Sequence, residues 1–356
     1  MNASVPRLRR STRLSSSLGL GERFFSSAEE RRIADAVEDG LDAVEARLRT
    51  DMDFADNLAD VTSRYLLEAG GKRVRPILTL LTAQLGGGIN DNVVTAAAAL
   101  EITHLASLYH DDVMDEANMR RGVPSAQSVW GNSVAILTGD LLFARASRLV
   151  ASLGEKAILM QVDTFERLCL GQLHETIGPR DGEDPIAHYL QVLADKTGSL
   201  IAAAARIGLV FSGAPPEYER PIEIFGAKIG VAFQLIDDVI DLSSQVAATG
   251  KTPGTDLRAG VSTLPLLYLR ESAASDPASA ALLERIEPDV AKLRDENDPE
   301  FTAAIAELRK HPATRRTLDE AHRWADEAVA ALQPIPSGPV KKALTRFAEA
   351  IIERSS

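Results

Sequence analysis

Apolar residues recur at threefold and fourfold spacing along most of the chain, the period of an α-helix with a buried face. The pattern predicts helices over 33–48, 93–108, 134–153, 157–173, 186–212, 221–242 and 340–352. The Ala-rich stretch 93–108 is preceded by Asn90 and Asp91, which suit an N-cap. Alternating β-branched runs and Asn-Gly or Asp-Gly hairpins between them are nearly absent, so the expected class is all-α. Breakers at 178–185, 243–260, 272–277 and 333–339 mark loops, and none reads as a long flexible linker. One helical domain over residues 27–356 is therefore expected. Its last stretch, 273–356, carries no motif and reads as packing helices.

Composition adds little to the fold and more to the setting. The chain has 356 residues, 45% hydrophobic and 25% charged, enough for a large core. A net charge of −12 argues against nonspecific nucleic-acid binding. The single cysteine, Cys169, excludes an internal disulfide, points to a reducing cytoplasm and falls in an apolar helical stretch, where core placement is expected. No apolar run reaches the ~20 residues of a membrane span. Residues 1–26 differ from the rest: Arg7, Arg9, Arg10 and Arg13 lie among serines with no acid before Glu22. They read as a basic disordered tail, with organellar import as the alternative.

Chemistry enters with an acidic motif that occurs twice, Asp111-Asp112-Val113-Met114-Asp115 and Asp237-Asp238-Val239-Ile240-Asp241. On a helix, positions i and i+4 share one face about 6 Å apart, which pairs Asp111 with Asp115 and Asp237 with Asp241. Such pairs in strongly apolar helices call for cations. Hard oxygen ligands with room for water and phosphate suit Mg²⁺ better than Ca²⁺, since no EF-hand-type loop is present. Stepping back along the first helix from Asp111 gives Leu108 or Ser107, then His104, then Leu100. From Asp237 the steps are Gln234, Gly230 and Ala227. A polar rim over an apolar shaft suits a ligand with a charged head and a greasy tail.

Basic blocks interleave with the acidic ones. Gly70-Gly71-Lys72-Arg73-Val74-Arg75-Pro76 opens a helix expected to continue through Leu85. Glycines permit close approach there, and a helix N-terminus favours an anion. Arg120 and Arg121 follow the first acidic motif, and arginine forks suit bidentate phosphate binding. Lys196-Thr197-Gly198 lies inside a helical run. Gly250-Lys251-Thr252-Pro253-Gly254 follows the second motif and lacks the order of a P-loop. The arrangement fits two diphosphates, one chelated through metal and one gripped directly.

Taken in order, GGKRVRP, LYHDDVMDEANMRRG, GQLHE, DKTGSL, FQLIDDVIDL and GKTPGTDL resemble the trans-isoprenyl diphosphate synthases, or polyprenyl synthetases, over about residues 65–265. The resemblance implies antiparallel helices around a central cavity, a homodimer, and three Mg²⁺ per loaded site. Asp111 and Asp115 would hold Mg²⁺ on the allylic diphosphate, and Asp237 with Asp241 a further one, with Asp238 beside the substrate. Arg120, Lys196 and Lys251 would contact the allylic diphosphate. Lys72, Arg75, His104 and Arg121 would grip isopentenyl diphosphate. Thr197 and Gln234 would lie beside the developing carbocation, and Gln172 near the first motif.

The implied reaction ionises the allylic diphosphate, adds the isopentenyl double bond to the cation and loses a proton to pyrophosphate. Family members stop growth early with a bulky aromatic four or five residues before the first motif. Ser107 and Ala106 stand there and are small, which predicts a long-chain product such as the tail of menaquinone, with the floor at Leu100, Thr103 or 141–143. A geranylgeranyl-type synthase is the shorter-chain alternative. A terpene cyclase needs no second diphosphate site, and non-catalytic partner subunits lack the acidic motifs.

Overall fold

The computed structural model describes residues 27–243, 253–258, 260–287 and 298–354. The basic N-terminal stretch and Lys251 lie outside these residues.

Helices α1 (Ala28–Asp51), α2 (Asn57–Glu68), α3 (Val74–Ala83) and α4 (Asp91–Met114) lead to the first aspartate motif. A hairpin of β1 (Met119–Arg120) and β2 (Val123–Pro124) follows, with Met119 opposite Pro124. Then come α5 (Ala126–Trp130), α6 (Asn132–Ser152) and α7 (Glu155–Ile177). The stretch read as one helix over 186–212 is three elements: α8 (Pro185–Leu193), a π-helical turn Ala194–Gly198, and α9 (Ser199–Phe211). Helix α10 (Glu219–Asp241) ends on the second aspartate motif. The rest is α11 (Thr255–Arg258), α12 (Leu264–Ala273), α13 (Pro277–Ile286), α14 (Pro299–Leu308), α15 (Pro312–Ala331) and α16 (Pro339–Glu353). The all-α expectation holds. Among the described residues the hairpin is the one pair of strands, and no helix is long and apolar enough to cross a membrane.

Local chemistry sets several helix starts. Ser27 accepts the Glu30 N–H at 3.1 Å while the Glu30 carboxylate accepts the Ser27 N–H, a reciprocal cap. The dipeptide Asp-Pro opens α8, α13 and α14. In each, the aspartate accepts an orphan N–H of the first turn and proline fills the position that needs no donor.

The chain divides into two compact units. One comprises the described residues up to Glu166 with Ser199–Ala227 and Ala328–Ala350. At its centre lies α4, buried on every face between Val93 and Tyr109, as a helix apolar all round must be. His110 meets Gly139 while Leu100 and Val150 line one pocket, so α6 runs antiparallel to α4. Helices α3 and α9 meet at Gly208, and Thr79 Oγ1 donates to the Ala204 carbonyl at 2.9 Å. The second unit comprises Arg167–Gly198, Lys228–Glu327 and the described residues from Ile351. Its core includes Leu269, Ile286, Phe301, Ile305 and Leu308, all at most 2% exposed.

Cys169 departs from expectation: it is exposed on α7, not in a core. Partial cover pushes its thiol upward, so nothing there generates a reactive thiolate.

The α3–α9 contact leaves no room for a side chain. A Cβ on Gly208 would lie 2.0 Å from the Thr79 carbonyl oxygen and 2.3 Å from Thr82 Oγ1. Gly208→Ala should therefore destabilise by about 3 kcal/mol through overpacking, read as a lower denaturant midpoint at unchanged slope. A midpoint equal to the parent's would contradict this packing.

Candidate active site

In the first unit, α4 ends within the aspartate motif. Asp111 and Asp112 are helical, whereas Asp115 is the C-cap, at φ −88° and ψ 0°, and its N–H donates to the Asp111 carbonyl at 2.8 Å. The helix thus ends at Met114, and the bond that sets Asp115 one turn above Asp111 is still made. Glu116 follows at φ 48°, which closes the turn. Asp112 is fully buried. Arg120 Nε donates to its Oδ1 at 2.6 Å, and its Oδ2 has no hydrogen-bond partner. Burial pushes the Asp112 carboxyl upward against the pull of Arg120.

The hairpin aims both arginines. Arg121 and Gly122 sit at φ 53° and 79°, the left-handed pair that a tight two-residue turn requires. Arg121 Nη1 donates to the carbonyls of Leu66, at 2.7 Å, and Gly70, so the turn is fastened to the basic loop. That loop is itself left-handed at Gly70 (φ 98°), Gly71 (φ 145°) and Arg73 (φ 52°). Helix α3 starts at Val74, and Gln84 is its C-cap, one residue short of the expected end at Leu85. Arg73 is held by Glu45 at 2.5 Å and by Glu101 at 3.2 Å. Arg75 is enclosed: its Nε has no partner, and burial pushes the guanidinium down to about 10, which leaves it charged at neutral pH. Glu101 and Asp111 favour that charge and Arg121 opposes it. Burial first, then Arg75 and Arg121, hold His104 well below its ordinary value, so it is a neutral imidazole. Structure thus brings Arg75, His104, Arg121, Arg120 and Asp111 within electrostatic reach of one another, with Lys72 on the same loop.

Beneath Asp111 the α4 stripe runs Ser107, Thr103, Leu100 and Ala96. Thr103, Leu100, Ala99 and Ala96 line a narrow apolar pocket that continues to Val150, Leu153, Met160 and Phe211. Leu100 and Thr103 line this pocket, and Leu141 is 40% exposed. Ser107 donates to the His104 carbonyl at 2.9 Å. Ala106 is fully buried, and its carbonyl faces Gly139 of α6.

In the second unit, Asp237 Oδ1 accepts from Arg354 Nη2 at 2.8 Å, and the same guanidinium stacks 4.6 Å from the Phe233 ring centroid. Asp238 is 1% exposed. Tyr189 donates to its Oδ2 at 2.7 Å, its Oδ1 has no hydrogen-bond partner, and burial pushes this carboxyl far upward. Asp241 Oδ2 accepts the Asp256 N–H at 3.1 Å, so the end of the GKTPGTDL block folds back on the motif. Lys196 lies in the π-turn and pairs with Glu175 of GQLHE at 2.5 Å. A side chain on Gly171 would strike the Lys196 amide at 2.6 Å, which explains the glycine in GQLHE. Thr197 Oγ1 faces Gln234 Oε1 at 3.4 Å, and Gln172 Oε1 is buried without a hydrogen-bond partner.

Sequence reasoning missed Glu101, Glu45, Glu175, Tyr189 and Arg354. Glu101 carried a signal as the one acid inside the Ala-rich apolar run, and Glu175 stood inside the GQLHE block. Among the described residues no three His, Cys, Asp or Glu side chains form a ready metal cage. The donor set nonetheless fits Mg²⁺, which takes one or two carboxylates and completes its shell with water and substrate phosphate.

A family model for the polyprenyl synthetases matches residues 56–298. The chain belongs to the polyprenyl synthetase family. It is 44% identical to the nonaprenyl diphosphate synthase of Mycobacterium tuberculosis over 329 residues, covering 90% of this chain and 94% of that one. The crystal structure of geranylgeranyl pyrophosphate synthase from Corynebacterium glutamicum, complexed with calcium and isoprenyl diphosphate, is similar at a TM-score of 0.80. That match has 39% identity and covers 93% and 99% of the two chains. A decaprenyl diphosphate synthase from Rhodobacter capsulatus is similar at a TM-score of 0.80 and 32% identity, covering 92% and 99%. This polyprenyl synthetase is therefore a prenyltransferase of the chain-elongating type.

Its neutral His104 has a consequence for stability. Unfolding releases the imidazole to its ordinary value near 6.5, where it takes up a proton that the folded state does not bind. Folded stability should therefore fall as pH drops below about 6.5, by up to ~1.4 kcal/mol per pH unit from this residue. Denaturation curves of the substrate-free protein at pH 7.0 and 5.5 measure the loss, and His104→Gln should shrink it. An equal loss in the variant would contradict the assignment.

Proposed function

We propose that this polyprenyl synthetase condenses an allylic prenyl diphosphate with isopentenyl diphosphate, repeatedly, to give a long-chain all-trans polyprenyl diphosphate. The observation that carries the reading lies within the first unit. A half-buried cluster of Arg75, His104 and Arg121 gathers about two helical turns from Asp111, above a stripe that leads into an apolar pocket. Carboxylates and cations at the rim suit metal-chelated diphosphates, and the pocket suits a hydrocarbon tail.

Residue roles follow from chemistry. Lys72, Arg75 and Arg121 hold isopentenyl diphosphate through charged donors, and neutral His104 adds a donor without repelling the arginines. Arg120, Lys196 and Lys251 serve the allylic diphosphate. Arg120 and Lys196 have carboxylate partners, Asp112 and Glu175, which fix their side chains before substrate arrives. Asp111, Asp115, Asp237 and Asp241 would hold Mg²⁺, three ions in the loaded site, with Asp238 and Gln172 beside the substrate. Bound Mg²⁺ supplies the charge that stabilises departing pyrophosphate. The allylic C–O bond breaks with its electrons leaving on pyrophosphate, and the isopentenyl double bond attacks the cation. The proton then lost passes to pyrophosphate. Thr197 and Gln234 direct oxygen dipoles at the carbocation.

Two further readings belong here. Helix α7 leaves Ile158, Leu159, Val162 and Phe165 exposed on one side, an apolar face that supports a homodimer. The relatives named for nonaprenyl and decaprenyl products support a long product, such as the side chain of a quinone like menaquinone, and the single cysteine supports a reducing cytoplasm.

Incubation with farnesyl diphosphate, labelled isopentenyl diphosphate and Mg²⁺ should give labelled polyprenyl diphosphate, resolved by chain length. Asp111→Ala and Asp237→Ala should each lower turnover by at least about a hundredfold, on the scale of losing one transition-state charge partner. Near-parent turnover would remove their role. Ser107→Phe should shorten the product by filling the stripe below Asp111. It is a cleaner variant than Ala106→Phe, because Ala106 is closed in by α6. An unchanged product distribution would refute the gate.

A further inference from the structure

Glu101 is unusual for its place. It is 2% exposed on α4, in the middle of an alanine-rich helix, three residues before His104. A carboxylate buried to that degree persists only when charge or hydrogen bonds compensate it. Its partner is Arg73, whose Nη1 lies 3.2 Å from Oε1. Arg73 also bonds Glu45 on α1 and donates to the carbonyl of Gly70 at 3.3 Å, so one guanidinium ties α1 and α4 to the left-handed loop. Arg121 converges on the same Gly70 carbonyl, and a side chain on Gly71 would strike both guanidiniums, at 2.8 and 3.0 Å. The loop that presents Lys72 is thus clamped by two arginines. Glu101 also favours charge on Arg75 and on Arg121.

We propose that Glu101 is a positioning residue for isopentenyl diphosphate: as the buried counter-ion of Arg73 it fixes the Gly70–Lys72 loop, and it keeps Arg75 and Arg121 together with their donors facing substrate. It does not touch the diphosphate. The inference rests on the assignment of Lys72 and Arg75 to isopentenyl diphosphate.

Simple electrostatics gives the opposite expectation, which makes the proposal testable. If Glu101 acted only as a negative charge near an anion site, neutralising it would tighten isopentenyl diphosphate binding. If it positions the loop, Glu101→Gln should raise the KM for isopentenyl diphosphate about tenfold or more. The KM for the allylic substrate should stay within about twofold. Steady-state kinetics with each substrate varied in turn, at saturating Mg²⁺, reads this split. A fall or no change in the isopentenyl diphosphate KM would overturn the proposal, as would an equal rise in both KM values. If Glu101→Gln does not fold, Glu101→Asp keeps the charge but shortens its reach. A rise confined to the isopentenyl diphosphate KM then supports the role, and no change overturns it. Arg75→Ala measured alongside separates the two levels. If it too leaves that KM unchanged, the substrate assignment has failed. If it raises the KM and Glu101→Gln does not, only the role of Glu101 has failed.

Discussion

Burying like charges close together is the constraint on which the rest of this molecule turns. Arg73, Arg75, Arg120 and Arg121 are drawn toward His104 at the head of α4, where water is scarce. Each guanidinium removed from water loses several kilocalories of solvation that only partners can restore. Glu101, Glu45, Asp112 and the carbonyls of Leu66 and Gly70 are those partners. The pairing is incomplete: Arg75 Nε and Asp112 Oδ2 keep no hydrogen-bond partner. Unsatisfied buried groups of this kind are tolerated where a ligand completes them. The cluster therefore keeps donor and acceptor capacity that the protein itself leaves unused.

The second unit solves a related problem by different means. There Asp238 is shielded almost completely, with Tyr189 as its donor, while Asp237 draws Arg354 from the last described turn of the chain. Burial pushes the Asp238 carboxyl far upward, while its neighbour Asp237 is paired with a guanidinium. Adjacent acids of the same motif thus have different electrical characters. A segment with every carboxylate ionised would repel itself, and graded burial eases that.

Much of this was legible in the sequence, and the reasons can be given residue by residue. The helices were readable because apolar spacing reports burial directly. Asp111, Asp237 and the basic loop stood out because an acid motif recurs in apolar helices, and a helix does end within each copy. Glu45 and Tyr189 were not, since a partner distant in the chain leaves no local mark. Arg354 sits in a segment without any motif. Asp115 was assigned to a helix it has just left, because helix ends depend on one backbone angle, here the φ of 48° at Glu116. Cys169 was misread for another reason: its apolar neighbours form a face that this chain leaves uncovered.

The π-turn at Ala194–Gly198 has a geometric corollary. One added residue in an otherwise helical rod advances the wheel by about 100°. No single helical wheel drawn through 186–212 is therefore valid across the turn, and length at Ala194–Gly198 is as constrained as residue identity.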